Sequence, residues 1–368
     1  MNNSSLNIFS GHQWVEIKNH NLTENTPPKP LQNQGEREAY LDVLRVLATF
    51  GVIFLHVSGT GIHLPVGEYN WYVAVVGDSL VRWSVPVFFM ISGALFLKPE
   101  KEITVRAIIT KYVKRLLIAY LFWYLAYMLF IIAVLSFSAH SLVIDRTCLT
   151  PHFHLWFLPM LMGVYLLIPI LRRVIADRSL LKYTLVLWFI YITISFVMVQ
   201  DVPQVSHLFT MNRVVGYAGY SLMGYYISVS QFSSTQKYFV YGLGVLGALA
   251  TVSGTVFLSN NSGVAEQKFL FNICPNIVMM SAGLFILIRE LSSKVQNRSK
   301  LIIEYVRKDL FGIYLVHGFW LWAINRVFFR DMANHAITLP LITVLIFILS
   351  LYTTKFIRFI PKLKKVVE

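Results

Sequence analysis

From residue 40 onward the chain is a succession of apolar segments, each close to twenty residues or longer. An α-helix rises 1.5 Å per residue, so about 20 such residues cross the ~30 Å hydrocarbon core of a bilayer. Ten segments qualify, at about 41–60, 71–97, 112–138, 154–171, 180–200, 212–229, 238–258, 270–290, 309–329 and 337–358. The second is interrupted by Asp78, Arg82 and Pro86, and is expected to begin as an interfacial helix and to span from about residue 84. Transmembrane β-strands would instead be ~10 residues long with alternating polarity. Charged residues make up 14% of the chain, against about 25% in a soluble domain. A soluble globular protein, an intrinsically disordered chain and a disulfide scaffold are thereby excluded. The expected fold class is all-α, a polytopic membrane protein of about ten transmembrane helices.

The charge that remains is basic, +14 overall. In a soluble protein this would point to nucleic acid; in a membrane protein it records orientation, because cytoplasmic loops collect Lys and Arg. With the N-terminus inside, 25 of the 32 basic residues fall on the cytoplasmic side and six on the other, with Arg45 left inside the first span. Both termini are then cytoplasmic and nucleic acid need not be invoked. Residues 1–39, rich in Asn, Gln, Pro and Ser, are expected to be a disordered cytoplasmic tail. They lack the charged start and apolar core of a signal peptide. Residues 40–360 form the membrane domain, and 361–368 a basic cytoplasmic tail whose Lys362, Lys364 and Lys365 meet anionic lipid. Cys148 and Cys274 both fall near the outer face; a disulfide is conceivable, and two free thiols are the simpler expectation.

An ionisable side chain within a membrane span costs a few kcal/mol and so suggests function. The first span holds three: Asp42, Arg45 and His56. Arg45 and His56 are eleven residues apart, which returns to within ~20° of one helix face and separates them by ~16 Å along the axis. Asp42 stands one turn before Arg45, where it can neutralise and orient the guanidinium. Snorkelling of Arg45 to the headgroups and a structural hydrogen bond at His56 are the alternatives.

The stretch Tyr40-Leu-Asp-Val-Leu-Arg45 through His56 resembles the opening of the bacterial acyltransferase-3 family, integral-membrane O-acyltransferases of surface polysaccharides. That family's signature on the first span is Arg or Lys, ten residues, then His. Further elements follow in the family's order. Arg82-Trp-Ser-Val-Pro86-Val-Phe-Phe-Met-Ile-Ser92-Gly93 resembles its Pro-x-Phe-Phe-x-x-Ser-Gly element. Lys111 to Arg115 matches the basic start of the third span, His154-Leu-Trp156-Phe-Leu its HLWFL element, and Gly312-Ile-Tyr314-Leu-Val-His317 its late IYLxH element. The likeness extends over about residues 40–358, and the chain is similar to the enterobacterial common antigen O-acetyltransferase type.

The resemblance implies transfer of an acyl group, commonly acetyl from acetyl-CoA, to a hydroxyl of a surface glycan or its lipid-linked precursor. Acetyl-CoA is then a donor substrate, with no bound cofactor. Its phosphates suit Arg45, Lys111, Lys114 and Arg115 at the cytoplasmic mouth, since guanidinium binds phosphate well. Its slender arm could lie along the first-span face and bring the thioester to His56. A neutral imidazole there would act as general base on the attacking hydroxyl, a contribution of typically 10²–10⁴-fold. Glu68 or Asp78 could be the carboxylate behind it.

Each remaining landmark has a plainer reading. Ser92-Gly93 suits close helix packing. Trp156 is an interfacial anchor or a sugar-stacking platform. His152 and His154 lie two apart, but no third metal ligand is visible, so no metal is expected. Tyr314 and His317 share a helical face, with a structural or a supporting catalytic role. Arg82 and Asp78, four apart, suit mutual neutralisation. Two other functions compete: a transporter or flippase of a glycan-lipid or anionic solute, and a same-family enzyme using succinyl-CoA. Against a transporter, no internal repeat relates the two halves. The expected partners are the lipid bilayer, acyl-CoA and the glycan acceptor; the sequence does not reveal an oligomeric state.

Overall fold

Backbone N–H and C=O groups find no water in hydrocarbon, and a helix satisfies them within one segment. The apolar runs accordingly form helices in the computed structural model, which describes residues 34–139, 152–198, 213–292, 297–328 and 334–367. No strand occurs among the described residues. The helices are α1 (Gln34–Gly61), α2 (Tyr69–Val81), α3 (Ser84–Phe96), α4 (Lys114–Ala139), α5 (Phe157–Val174), α6 (Arg178–Met198), α7 (Arg213–Val229), α8 (Ser234–Ser262), α9 (Pro275–Leu291), α10 (Asn297–Arg307), α11 (Leu310–Phe328) and α12 (His335–Phe359). A short turn, Val105–Ala107, and a π-helical turn, Ile108–Val113, lead directly into α4.

Among the described residues, eight helical runs are long and apolar enough to cross a membrane by length and composition, with Tyr69–Phe96 counted as one. The other two expected spans, 212–229 and 309–329, are helices but outside that set. The first is a residue or so too short, and the second is interrupted by His317, Asn325 and Arg326. In α7, 17 residues long, the run from Gly216 to Tyr225 is buried in the bundle, so protein rather than lipid surrounds its tyrosines, serine and glycines. Helix α11 carries Asn325 and Arg326 on a face turned to a cavity, and His317 fully buried within the bundle. At the other extreme, only 17% of the apolar window of α4, and of α6, is buried, as suits helices facing lipid.

Helix ends are marked in the expected ways. Ser233 and Gln236 form a reciprocal capping box at the start of α8, which stops at Gly263 with φ +72°. Helix α1 is central: it packs on α2, α3, α9, α10, α11 and α12. Beside it α3 and α7 approach so closely that a Cβ on Gly93 would overlap the Ser221 carbonyl, and one on Gly224 the Met90 backbone. Arginines close one end of the bundle. Arg172 donates to the carbonyls of Phe96 (3.0 Å) and Lys98 (3.1 Å), beyond the last turn of α3. Arg289 donates to the Ile227 and Ser230 carbonyls at the end of α7, and Arg358 pairs with Asp309 at 2.5 Å.

Three expectations change. Helix α1 begins at Gln34, inside the segment read as tail; the rest of that tail, residues 1–33, lies outside the described residues, as do Cys148 and the possible disulfide. The break at Arg82–Trp83 separates α2 from α3, but α2 packs against α1 and α8 with Trp71, Ala74, Val75 and Asp78 buried. The basic segment 361–367 folds back rather than trailing free. Val366 and Val367 are buried, and the Trp123 indole donates to the Val366 carbonyl at 2.8 Å. Two valines after a run of lysines find an apolar groove beside Gly312 and Trp123.

Candidate functional site

Helix α1 carries the Asp42–Arg45 pair toward one end and His56 toward the other. At one end Arg45 pairs with Asp42, whose second oxygen accepts from Arg307 of α10 at 3.4 Å. Nearby, the Arg115 guanidinium lies 5.8 Å from the Phe311 ring and Lys111 lies 5.4 Å from that of Tyr112. Tyr165 lies near Ser92 and within electrostatic reach of both Arg45 and Arg115. It is thus a common neighbour of these three, and Lys111 lies on the π-helical turn just before Arg115. Lys114 is exposed on the following turn. Turns of this π-helical kind are frequent at functional sites.

At the other end His56 stands between two cavities. The smaller, about 180 Å³, reaches Phe88, Trp156 and Tyr314; the larger, about 1000 Å³, reaches His152, Asn325 and Arg326. Both are lined by Leu55, His56 and Arg82. The His56 ring meets Phe153 edge-on at 4.7 Å and stacks on His317 at 5.4 Å, with 20° between the ring planes. No described residue hydrogen-bonds it.

Three further histidines surround His56, and their partners set which nitrogen carries the proton. His317 Nδ1 lies 2.5 Å from the Tyr314 carbonyl, so it must donate, leaving Nε2 with a lone pair; that nitrogen is buried and has no partner among the described residues. His154 Nε2 donates to the Leu315 carbonyl at 3.3 Å, so its Nδ1 accepts from His152 Nδ1 at 2.9 Å. His152 is therefore left with an unprotonated Nε2. Burial pushes the His152 imidazole down to about 4, so it is neutral at physiological pH. Tyr127 stacks on His152 at 4.2 Å and donates to the Leu315 carbonyl at 2.8 Å; the Tyr314 hydroxyl donates to the His154 carbonyl. Among the described residues no three His, Cys, Asp or Glu side chains are arranged to hold a metal ion.

The two carboxylates considered behind His56 are placed elsewhere. Glu68 is exposed at the start of α2. Asp78 is fully buried but serves Arg82, whose Nε donates to its Oδ2 at 2.6 Å; Arg82 also donates to the Leu270 carbonyl at 2.9 Å. Asp78 therefore aims a cation at both cavities rather than orienting the imidazole. Gly93 serves the α3–α7 contact, while Ser92 donates to the Phe88 carbonyl at 3.0 Å. Trp156 lines the smaller cavity near Tyr217 (5.8 Å) instead of the bundle's outer surface. Sequence reasoning passed over His152 as anything but a metal ligand, and over Gln267, Trp322, Asn325 and Arg326. The adjacent Asn325 and Arg326 inside an apolar run were the available signal.

A family model described as an acyltransferase domain matches residues 38–355, well over half of the chain. No curated protein and no solved structure matches it.

Proposed function

The chain belongs to the acyltransferase-3 family, and from that membership we propose that it is a membrane O-acyltransferase using acetyl-CoA. The acceptor is a hydroxyl of a surface polysaccharide or its lipid-linked precursor. In this reading the protein lies in a bacterial cytoplasmic membrane with ten spans and both termini inside. The observation that carries it is His56, a ring with no hydrogen bond to any described residue, at the junction of two cavities. Arg45 stands ~16 Å behind it on the same helix.

The donor's phosphates would lie at the end formed by Arg45, Lys111, Lys114 and Arg115. Asp42, shared with Arg307, holds the Arg45 guanidinium in place. The pantetheine arm runs beside α1 past Ser92, and the thioester sits in the smaller cavity. An acceptor hydroxyl enters from the larger one. Its oxygen attacks the thioester carbonyl while the unprotonated His56 nitrogen takes the hydroxyl proton. The carbonyl oxygen becomes negative, and Arg82, fixed by Asp78, faces it. Preorganised cations at such a position stabilise the developing charge. The C–S bond then breaks, and the leaving CoA thiolate receives the proton from His56. His317, stacked against His56, and His154 and Tyr314, interlocked behind it, keep the ring from turning.

The test compares O-acyl content of surface glycan by mass spectrometry in cells with wild type, His56→Ala, Arg45→Ala or no protein. His56→Ala is expected to lower transfer by roughly 10²–10⁴-fold, and Arg45→Ala to raise the donor concentration needed. Equal acyl content in all four cells would overturn the enzyme reading. Full activity of His56→Ala would keep the activity and remove the base.

A further inference from the structure

The larger cavity is provided with more hydrogen-bond acceptors than the protein uses. Asp78 Oδ1 and Asn325 Oδ1 are both buried without a partner among the described residues, and His152 Nε2 holds a lone pair. All three residues line this one cavity. Buried acceptors left unpaired are costly, so they call for a ligand that brings donors. Water can supply one or two, but three acceptors around about 1000 Å³ match a molecule with several hydroxyls.

The charge of the wall is not balanced either. Arg82 and Asp78 neutralise each other. Arg326 has no carboxylate partner among the described residues, and its guanidinium lies 5.7 Å from the Trp322 ring. One helix organises this wall. Leu321, Trp322, Asn325 and Arg326, at i, i+1, i+4 and i+5 along α11, line it together. This wall begins one turn beyond His317, which stacks on His56, and runs roughly 8 Å along the axis to the guanidinium.

We propose that this cavity is an acceptor subsite for a hydroxyl-rich molecule carrying an acid group. Arg326 holds the acid and His152 Nε2 accepts a hydroxyl, with Asn325 Oδ1 and Asp78 Oδ1 just beneath the cavity surface as further acceptors. The proposal rests on the acyltransferase reading for the word acceptor, but the binding itself does not. The acid is a sugar carboxylate or the phosphate of a carrier; both present the same bidentate anion to a guanidinium.

The experiment follows thermal unfolding of the purified full chain in detergent, at constant ionic strength, with glucuronate, glucose 1-phosphate or glucose. A ligand that binds only the folded state raises the unfolding temperature. Glucuronate, glucose 1-phosphate or both should stabilise the wild type at concentrations where glucose does not. Arg326→Gln should weaken that effect about tenfold, and Arg326→Lys should retain most of it. Stabilisation by glucuronate alone identifies a sugar acid, and by the phosphate alone a carrier phosphate. The proposal fails if neither acid stabilises, if glucose does as well, or if the effect survives Arg326→Gln. It also fails if the effect is lost in Arg45→Ala instead, which would put the anion at the opposite end. Acetyl-CoA is run in parallel: if it gives no stabilisation while the Arg326-dependent effect persists, the donor reading falls and the subsite stands.

Discussion

His152 is defined by its two neighbours rather than by its own side chain. One nitrogen is committed to His154, and burial lowers the imidazole from its ordinary 6.5 to about 4. The sign of the consequence follows. Between pH 6.5 and about 4 the unfolded chain binds a proton at this position that the native protein does not, so stability rises with pH across that window and is lost on acidification. A shift of this size corresponds to roughly 3 kcal/mol at the acid end. His152→Gln should therefore flatten part of the fall in unfolding temperature between pH 7 and pH 4.5; an unchanged pH profile would contradict it. The same residue marks how far single positions could be read from the chain alone. Arg45 and His56 were legible because their relation lies within one helix, where spacing sets direction. The choice between Glu68 and Asp78 depends on how α2 leans on α1, which no spacing encodes. Asn325 and Arg326 resemble the frayed end of an apolar segment until α11 is seen to border a cavity.

At the level of elements, the contact between α3 and α7 sets how tightly the site is framed, since Phe88 and Phe89 on α3 pack against Phe157 of α5, and Phe89 also stacks on Tyr217 of α7. Small residues let these backbones approach, as in other membrane helix pairs. Gly224→Ala should destabilise the protein by about 1–3 kcal/mol, because the new methyl meets the Met90 backbone and not a movable side chain. Gly242→Ala, in α8 with open space around the position, should be neutral or stabilising by up to ~1 kcal/mol. Unfolding temperatures of the two variants in one detergent provide the comparison, and equal losses would refute the packing account. Element identity was well read from the apolar runs. What the runs overstate is uniformity: α4 and α6 need apolar surface all round, whereas α7 is surrounded by protein and can be rich in tyrosine and glycine.

Across the whole molecule, the basic residues gather where helix ends expose carbonyls, and Arg172 and Arg289 cap neighbouring helices there. Arginines that the sequence offers for orientation are thus also structural. Orientation has a direct measurement. In a background without Cys148 and Cys274, Asn261→Cys should react with an impermeant maleimide in intact cells, and Thr235→Cys only after permeabilisation. These positions sit near opposite ends of α8, and the reverse pattern would invert the topology. Finally, several contacts that close the bundle join distant parts of the chain. The Trp123 indole meets a carbonyl 243 residues further on, and Tyr127 and Arg82 each meet one 188 residues further on. Helices enter the bilayer before they associate, so during synthesis α4 is inserted with its indole N–H unanswered until nearly two-thirds of the protein has followed it off the ribosome. The first helices in are among the last to be sealed, and an N-terminal fragment released early would carry open polar faces into the lipid, a form that membrane quality control can recognise.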